Sequence, residues 1–293
     1  LMKVAFLTTV PGWWYDSMLI PKDSPLRDLV PKSKFDKKKK NHLRIDYTVG
    51  YMLQMAARKF ATVDLISPKQ FLKMTPTEVK RYDLIVNQFL STLAVFQNYG
   101  TEAEKKYRAL LASNEKAVYP NMKYTDFVED KCVYGSKLRS LGFAVADFFC
   151  VSREEYLKSE EKTVDRIVQT VATKGWEKVF GKPILGTGSW GTKILEPKQK
   201  YVLKRYLKTL FMKKKYPKVM FQENFPEFGT KFYEIRMVFV GDKYQYTVLN
   251  NIRGIWKKPM QAGGTVAIPQ LNALIRRSKR LINKVVKPMS GLP

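Results

Sequence analysis

One histidine, His42, is all the imidazole this chain of 293 residues contains, and only two cysteines, Cys132 and Cys150, accompany it. This poverty excludes several kinds of chemistry. A zinc site draws three or four ligands from His, Cys and carboxylates, and the chain scarcely owns the usual sets. A hydrolytic triad would have to run through His42, which follows the run KFDKKKK in what reads as an exposed basic loop. The opening LMKVAFLTTV lacks a basic leader and a small-residue cleavage site and reads as a buried first strand. Without a secretion signal the cysteines read as two reduced thiols, and the expected location is cytoplasmic. Long apolar runs are missing too, since none approaches the roughly 20 residues that cross a bilayer.

Acid is also scarce. Asp and Glu number 26 against 53 Lys and Arg, a formal charge of +27. The shortage is deepest at the end, where Asp242 is the only acidic residue after Glu234. Such a field attracts polyanions, whether nucleotides, nucleic acid or phosphorylated substrates. Lysine is spread along the whole chain, with two denser clusters at 32–44 and 276–287. Neither cluster interleaves aromatics as a single-strand nucleic-acid surface does, so nucleic acid is not the favoured partner.

What the chain does have is apolar residues, 45% of the total, enough for two or three packed units. Continuous apolar strands at 2–9, 62–66 and 83–87 alternate with helical stretches at 46–60 and 101–113. This is the texture of a small parallel α/β domain ending near Val118. Asp46 and Thr101 stand where N-caps belong, and Glu104 completes a capping-box spelling. Residues 10–44, rich in Pro and Lys, read as a long insertion of the functional or mobile kind. Beyond 118 the texture changes. A helix at 127–141, a strand at 147–152 and a helix at 162–174 lead into a run of strands and a final basic helix at 270–286. The expected class is α/β with α+β parts, divided 1–118, 119–205 and 206–293.

The segment FGKPILGTGSWGTKI contains Gly186, Gly188 and Gly191 in the spacing G-x-G-x-x-G. A dinucleotide loop would open a helix, but β-branched TKILEP follows. A kinase loop would need a downstream catalytic histidine and a D-F-G, and neither exists, although YVLK with Lys204 imitates the kinase lysine strand. A third design puts the lysine before the glycines, as Lys182 stands here. Lys182 then reaches phosphates as a point charge while glycine amides approach closely. In this the chain resembles the ATP-grasp superfamily. Three further stretches carry the resemblance: the D-K, helix, Gly-turn and strand of 120–152; VMFQENF at 219–225; and the acidic-x-Arg strand FYEIRMVFVG at 232–241.

The resemblance implies ATP as cofactor, held by Lys131, Lys182, the loop residues Gly186, Gly188, Ser189 and Gly191, the adenine-side pair Gln222 and Glu223, and Glu234 on the ribose. Arg236 would be the catalytic cation facing the γ-phosphate, and alternation puts it on the strand face of Glu234. The implied reaction is ligation of a carboxylate to an amine or thiol through an acyl phosphate, on a small-molecule or peptide substrate. Magnesium is the implied metal, its ligands expected beyond Pro293, which makes the 293 residues read as a truncated ligase. In the turn KPMQAGG, Lys257 stands for the family's basic residue, and Pro259 replaces an asparagine. Trp190 at the loop tip is expected to report closure of a flap. The alternative reading is a basic scaffold or nucleic-acid-binding protein that keeps the fold without turnover.

Overall fold

The computed structural model describes residues 1–10, 17–35, 41–185, 191–226, 234–250 and 271–290. They form a mixed α/β structure with one parallel and three antiparallel sheets, and the chain divides into two compact units, Leu1–Asp126 and Phe127–Pro293.

The first unit is built on β1 (Met2–Leu7), an apolar strand buried on both sides. Its period-two alternation sends Val4 and Phe6 into one core and Ala5 and Leu7 into another. The basic insertion follows with β2 (Ser17–Leu19), the one-turn helix α1 (Leu26–Leu29) and a 3-10 turn at Lys32–Lys34. Then come β3 (His42–Arg44), α2 (Ile45–Ala57) and β4 (Ala61–Ile66). After two short capped helices, α3 (Pro68–Phe71) and α4 (Pro76–Val79), the chain forms β5 (Leu84–Val86). Helices α5 (Thr92–Tyr99) and α6 (Thr101–Ala112) and the strand β6 (Val118–Tyr119) complete it. The parallel sheet runs β4-β1-β5-β6.

Four expectations change here. The described part of the 10–44 insertion is folded: β2 pairs antiparallel with β3, and Ile20, Leu26, Val30 and Leu43 close a small core with Tyr51. His42 accordingly sits half-buried on β3, its Nδ1 3.4 Å from Ser17 Oγ, rather than in an exposed loop. Thr101 is the first residue of α6, with Gly100 in the cap position. Nor is Asp46 a cap. It lies fully buried in the first turn of α2, where its carboxylate accepts from Arg44 Nε (3.0 Å), Arg44 Nη2 (2.5 Å) and the Thr9 amide (2.9 Å). Arg44 Nη2 also donates to the Thr9 carbonyl at 3.0 Å, so the pair ties the end of β1 to the start of α2.

The second unit follows α7 (Met122–Glu129) with α8 (Lys131–Ser140), β7 (Phe148–Ser152), α9 (Arg153–Lys158) and α10 (Glu160–Thr173). Next are β8 (Val179–Pro183), β9 (Lys193–Leu195), α11 (Lys200–Lys208) and β10 (Lys218–Glu223). The four strands form an antiparallel sheet, β7-β10-β8-β9. YVLK with Lys204 is therefore helix, not strand. A two-stranded sheet of β11 (Glu234–Val240) and β12 (Lys243–Asn250) precedes α12 (Leu271–Leu281), whose path continues through a π-helical turn into α13 (Lys287–Ser290).

The helix expected at 127–141 is broken at Asp130. Its carboxylate accepts from the amides of Cys132 and Val133 and so starts α8 afresh. The new helix lies over β7, which brings Cys132 and Cys150 to a Cα separation of 6.4 Å, and the two are joined by a disulfide. This replaces the expectation of two reduced thiols.

Two measurements check these features. Asp46→Ala leaves the Arg44 guanidinium and the Thr9 amide without their shared acceptor, and the expected loss is about 3 kcal/mol of stability in denaturant unfolding. A loss under about 1 kcal/mol would show that the clasp carries no such weight. Alkylation of the denatured chain without reductant is expected to label neither cysteine, and labelling after reduction to reach both; two labels before reduction would return the thiols to the reduced state.

Candidate functional site

Alternation along three neighbouring strands decides which side chains share a face. Lys182 pairs in register with Met220, which pairs with Cys150; Phe180 pairs with Gln222, which pairs with Phe148. Phe148, Cys150, Met220, Gln222, Phe180 and Lys182 therefore stand on one side of the sheet. Helix α8 covers part of this side. Cys132 joins Phe148, Ile184 and Met220 in one apolar cluster, with Val145, Cys150 and Leu185 around it. The first residue of α8 is Lys131, so the helix delivers an ammonium to the edge of an apolar interface.

The structure thus brings three of the proposed site residues together. Lys182 Nζ donates to Gln222 Oε1 at 2.6 Å. Lys131 Nζ donates to the Ile184 carbonyl at 2.8 Å, just where β8 ends. Burial pushes the Lys131 ammonium down from 10.5 to about 8, and the charge of Lys182 adds to the effect while Glu129 and Asp130 oppose it. Burial also lowers the Lys182 pKa. Among the described residues Lys182 has a neutral amide as its hydrogen-bond partner and no carboxylate in an ion pair. Two ammonium groups held close together and partly out of water favour an incoming anion, which restores the solvation they lose.

The other proposed residues are placed as follows. Glu223 ends β10, where alternation turns its side chain to the opposite side from Gln222, and its amide donates to the Asp147 carbonyl at 2.9 Å. Gly191 ends the glycine loop with φ 72°, while Gly186, Gly188, Ser189 and the tip residue Trp190 lie outside the described residues. Glu234 and Arg236 are on β11, the Arg236 side chain exposed; the Glu234 side chain lies outside the described residues, as do Lys257 and Pro259. Asp130 was missed as a site-organising residue. It caps α8 and pairs with Lys218 at 3.1 Å across to β10, which fixes the helix end that carries Lys131. The Asp before a helix start was its available signal.

No family model and no curated protein matches the sequence. Solved structures do resemble it. The crystal structure of the D-cycloserine synthetase DcsG is 13% identical with a TM-score of 0.54, covering 84% of this chain and 67% of its own. A D-alanine–D-alanine ligase from Bacillus anthracis complexed with ATP is 15% identical over 97% of this chain and 77% of its own, with a TM-score of 0.52. The ATP-grasp ligase PsnB, complexed with a minimal precursor, is 12% identical over 96% of this chain and 82% of its own, again with a TM-score of 0.52. At such identities the likeness is one of fold, and the fold of this chain is that of the ATP-grasp superfamily.

Proposed function

We propose that the chain binds ATP on the sheet face of Lys131, Lys182 and Gln222, and that it serves ATP-dependent ligation of a carboxylate to an amine or thiol. The observation that carries this reading is the pair of half-buried lysines at the end of β8, the strand that precedes the glycine-rich segment, within a fold shared with ligases. In this reading Lys131 and Lys182 neutralise the phosphates. Amides of Gly186, Gly188, Ser189 and Gly191 approach the triphosphate, Gln222 lies toward the adenine by its side chain and Glu223, whose side chain turns to the other side, by its backbone alone, Glu234 takes the ribose, and Arg236 faces the transferring phosphoryl group. A substrate carboxylate oxygen attacks the γ-phosphorus, ADP leaves, and the acyl phosphate then loses phosphate to the amine or thiol. The division 1–118, 119–205 and 206–293 belongs to the same proposal. Magnesium is the metal the fold family implies, but among the described residues no group of three or more His, Cys, Asp or Glu side chains could hold an ion. Asp242 stands 4.0 Å from Lys287, and no step is assigned to a metal here.

Titration calorimetry with ATP tests the site. Lys182→Ala is expected to weaken ATP binding about ten- to a hundredfold while circular dichroism shows an unchanged fold. Unchanged affinity in the folded variant would remove Lys182 from the site. ADP release that depends on an added carboxylate would support ligation over the scaffold reading; salt-sensitive RNA binding without such release would reverse that order.

The lowered pKa of Lys131 gives a second test. Below about pH 8 the free protein already carries this proton. Above it, ATP binding must take a proton up, so affinity should fall by up to about tenfold per pH unit. Stability runs the other way. Between about 8 and the ordinary 10.5 the unfolded chain holds more of this proton than the folded one, so this group's contribution to stability rises with pH. Lys131→Met should bind ATP weakly and lose the slope that sets in near pH 8. A wild-type profile that is flat above pH 8, or a slope retained in the variant, would show that Lys131 is not the titrating contact.

A further inference from the structure

The glycine loop leaves β8 at Pro183 and returns at β9, and its return point is held in an unusual way. Gly191 has φ 72°, and a Cβ there would stand 3.1 Å from Leu210 and 3.2 Å from Pro183. The backbone angle favours glycine, and a Cβ would crowd both neighbouring side chains. The Gly191 carbonyl accepts a hydrogen bond of 2.8 Å from the Tyr206 hydroxyl.

Tyr206 is itself buried among its neighbours. It is only 9% exposed, its ring meets Phe221 edge-on at 6.5 Å, and it lies against Gly181, where a Cβ would come within 3.0 Å of the ring and of the hydroxyl. Gly181 is the residue before Lys182 and pairs in register with Lys193, two residues past Gly191. The ring thus occupies the space left by the missing side chain of Gly181, and from there the hydroxyl reaches the far root of the loop. Leu210, in the π-helical turn Thr209–Lys213 that continues α11, also approaches Gly191. Tyr206 and Leu210 together register the lysine strand and the loop exit against each other.

We propose that Tyr206 is a positioning residue for the phosphate-binding loop: its hydroxyl fixes the loop's return point relative to Lys182 and thereby sets affinity for the outer phosphates of the nucleotide. The proposal rests on the ATP-binding reading for its ligand, but the anchoring itself does not. Tyr206 touches neither nucleotide nor substrate in this scheme. It acts through the Gly191 backbone, and its ring supports the Gly181–Lys182 strand from the side opposite the lysine.

The test is Tyr206→Phe in the full chain, which keeps the ring and removes only the hydroxyl. Two measurements separate positioning from plain packing. In the nucleotide-free protein, amide exchange at Gly191–Lys193 should speed up about fivefold or more, while exchange in α8 and β10 stays as in wild type. In binding experiments ATP affinity should fall about five- to tenfold, the worth of one buried neutral hydrogen bond, while AMP, which lacks the β- and γ-phosphates, keeps its affinity. Gly191→Ala, which disturbs the same root from the backbone side, should show the same preference for losing ATP over AMP. Equal weakening of ATP and AMP would mean general loosening of the unit and would overturn the proposal. So would unaltered exchange at Gly191–Lys193. A wild-type chain that binds neither nucleotide would sink the ATP reading and the affinity half of this proposal together, while the exchange measurement would still decide the anchoring.

Discussion

The pairing of β8 with β10 is the constraint on which the candidate site depends. In an antiparallel ladder a shift of one residue turns every side chain to the other face. The observed register, Lys182 opposite Met220 and Phe180 opposite Gln222, puts a cation and an amide on the side where α8 docks. Slipped by one, Lys182 would point into the aromatic layer of Phe149, Phe221 and Tyr206. Burying an unpaired ammonium there would cost several kcal/mol, so the hydrophobic pattern of the strands enforces the register that builds the site.

A second constraint acts through α8. The helix must begin at Asp130 and not run on from α7, or Lys131 would not meet the end of β8. Three interactions of different kinds hold that start: the Asp130 cap, its ion pair with Lys218, and the Cys132–Cys150 disulfide. They are local to the one helix end that carries a proposed ligand-binding group. The cost they offset is real. Lys131 lies near Lys182, a like charge, in a partly desolvated place, and both ammonium groups would be more comfortable apart in water. Sites that bind anions are commonly held this way, with stability spent beforehand on positioning charges that the ligand later neutralises.

Much of this was legible in the sequence, and the reasons are specific. The strands β1, β4, β8 and β10 announce themselves because each is a short apolar run bounded by turn residues, and the lysine before three glycines marks the strand–loop–strand. What escaped was whatever depends on a partner distant in the chain. Nothing near Cys132 says that Cys150, 18 residues on, comes within bonding distance, because that requires α8 to lie over β7. Asp46 has the spelling of a cap, yet it serves as a buried acceptor because Arg44 and the Thr9 amide converge on it. The 10–44 insertion reads as loop by its prolines and lysines, while its sparse apolar residues, Ile20, Leu26, Val30 and Leu43, are enough to close a satellite core.

Net charge marks polyanion attraction but does not locate a site. The chain carries +27, and most of that charge sits on exposed lysines, where salt screens it beyond about 8–10 Å and water solvates it well. Such a field raises the local concentration of any anion without selecting one. Burial lowers the pKa of both Lys131 and Lys182. In the proposed site their interaction with a phosphate would be screened less than that of an exposed lysine. In the proposed site the exposed lysines would draw a nucleotide toward the chain, and the two partly desolvated ones, held in a fixed register, would favour a polyphosphate that can meet both.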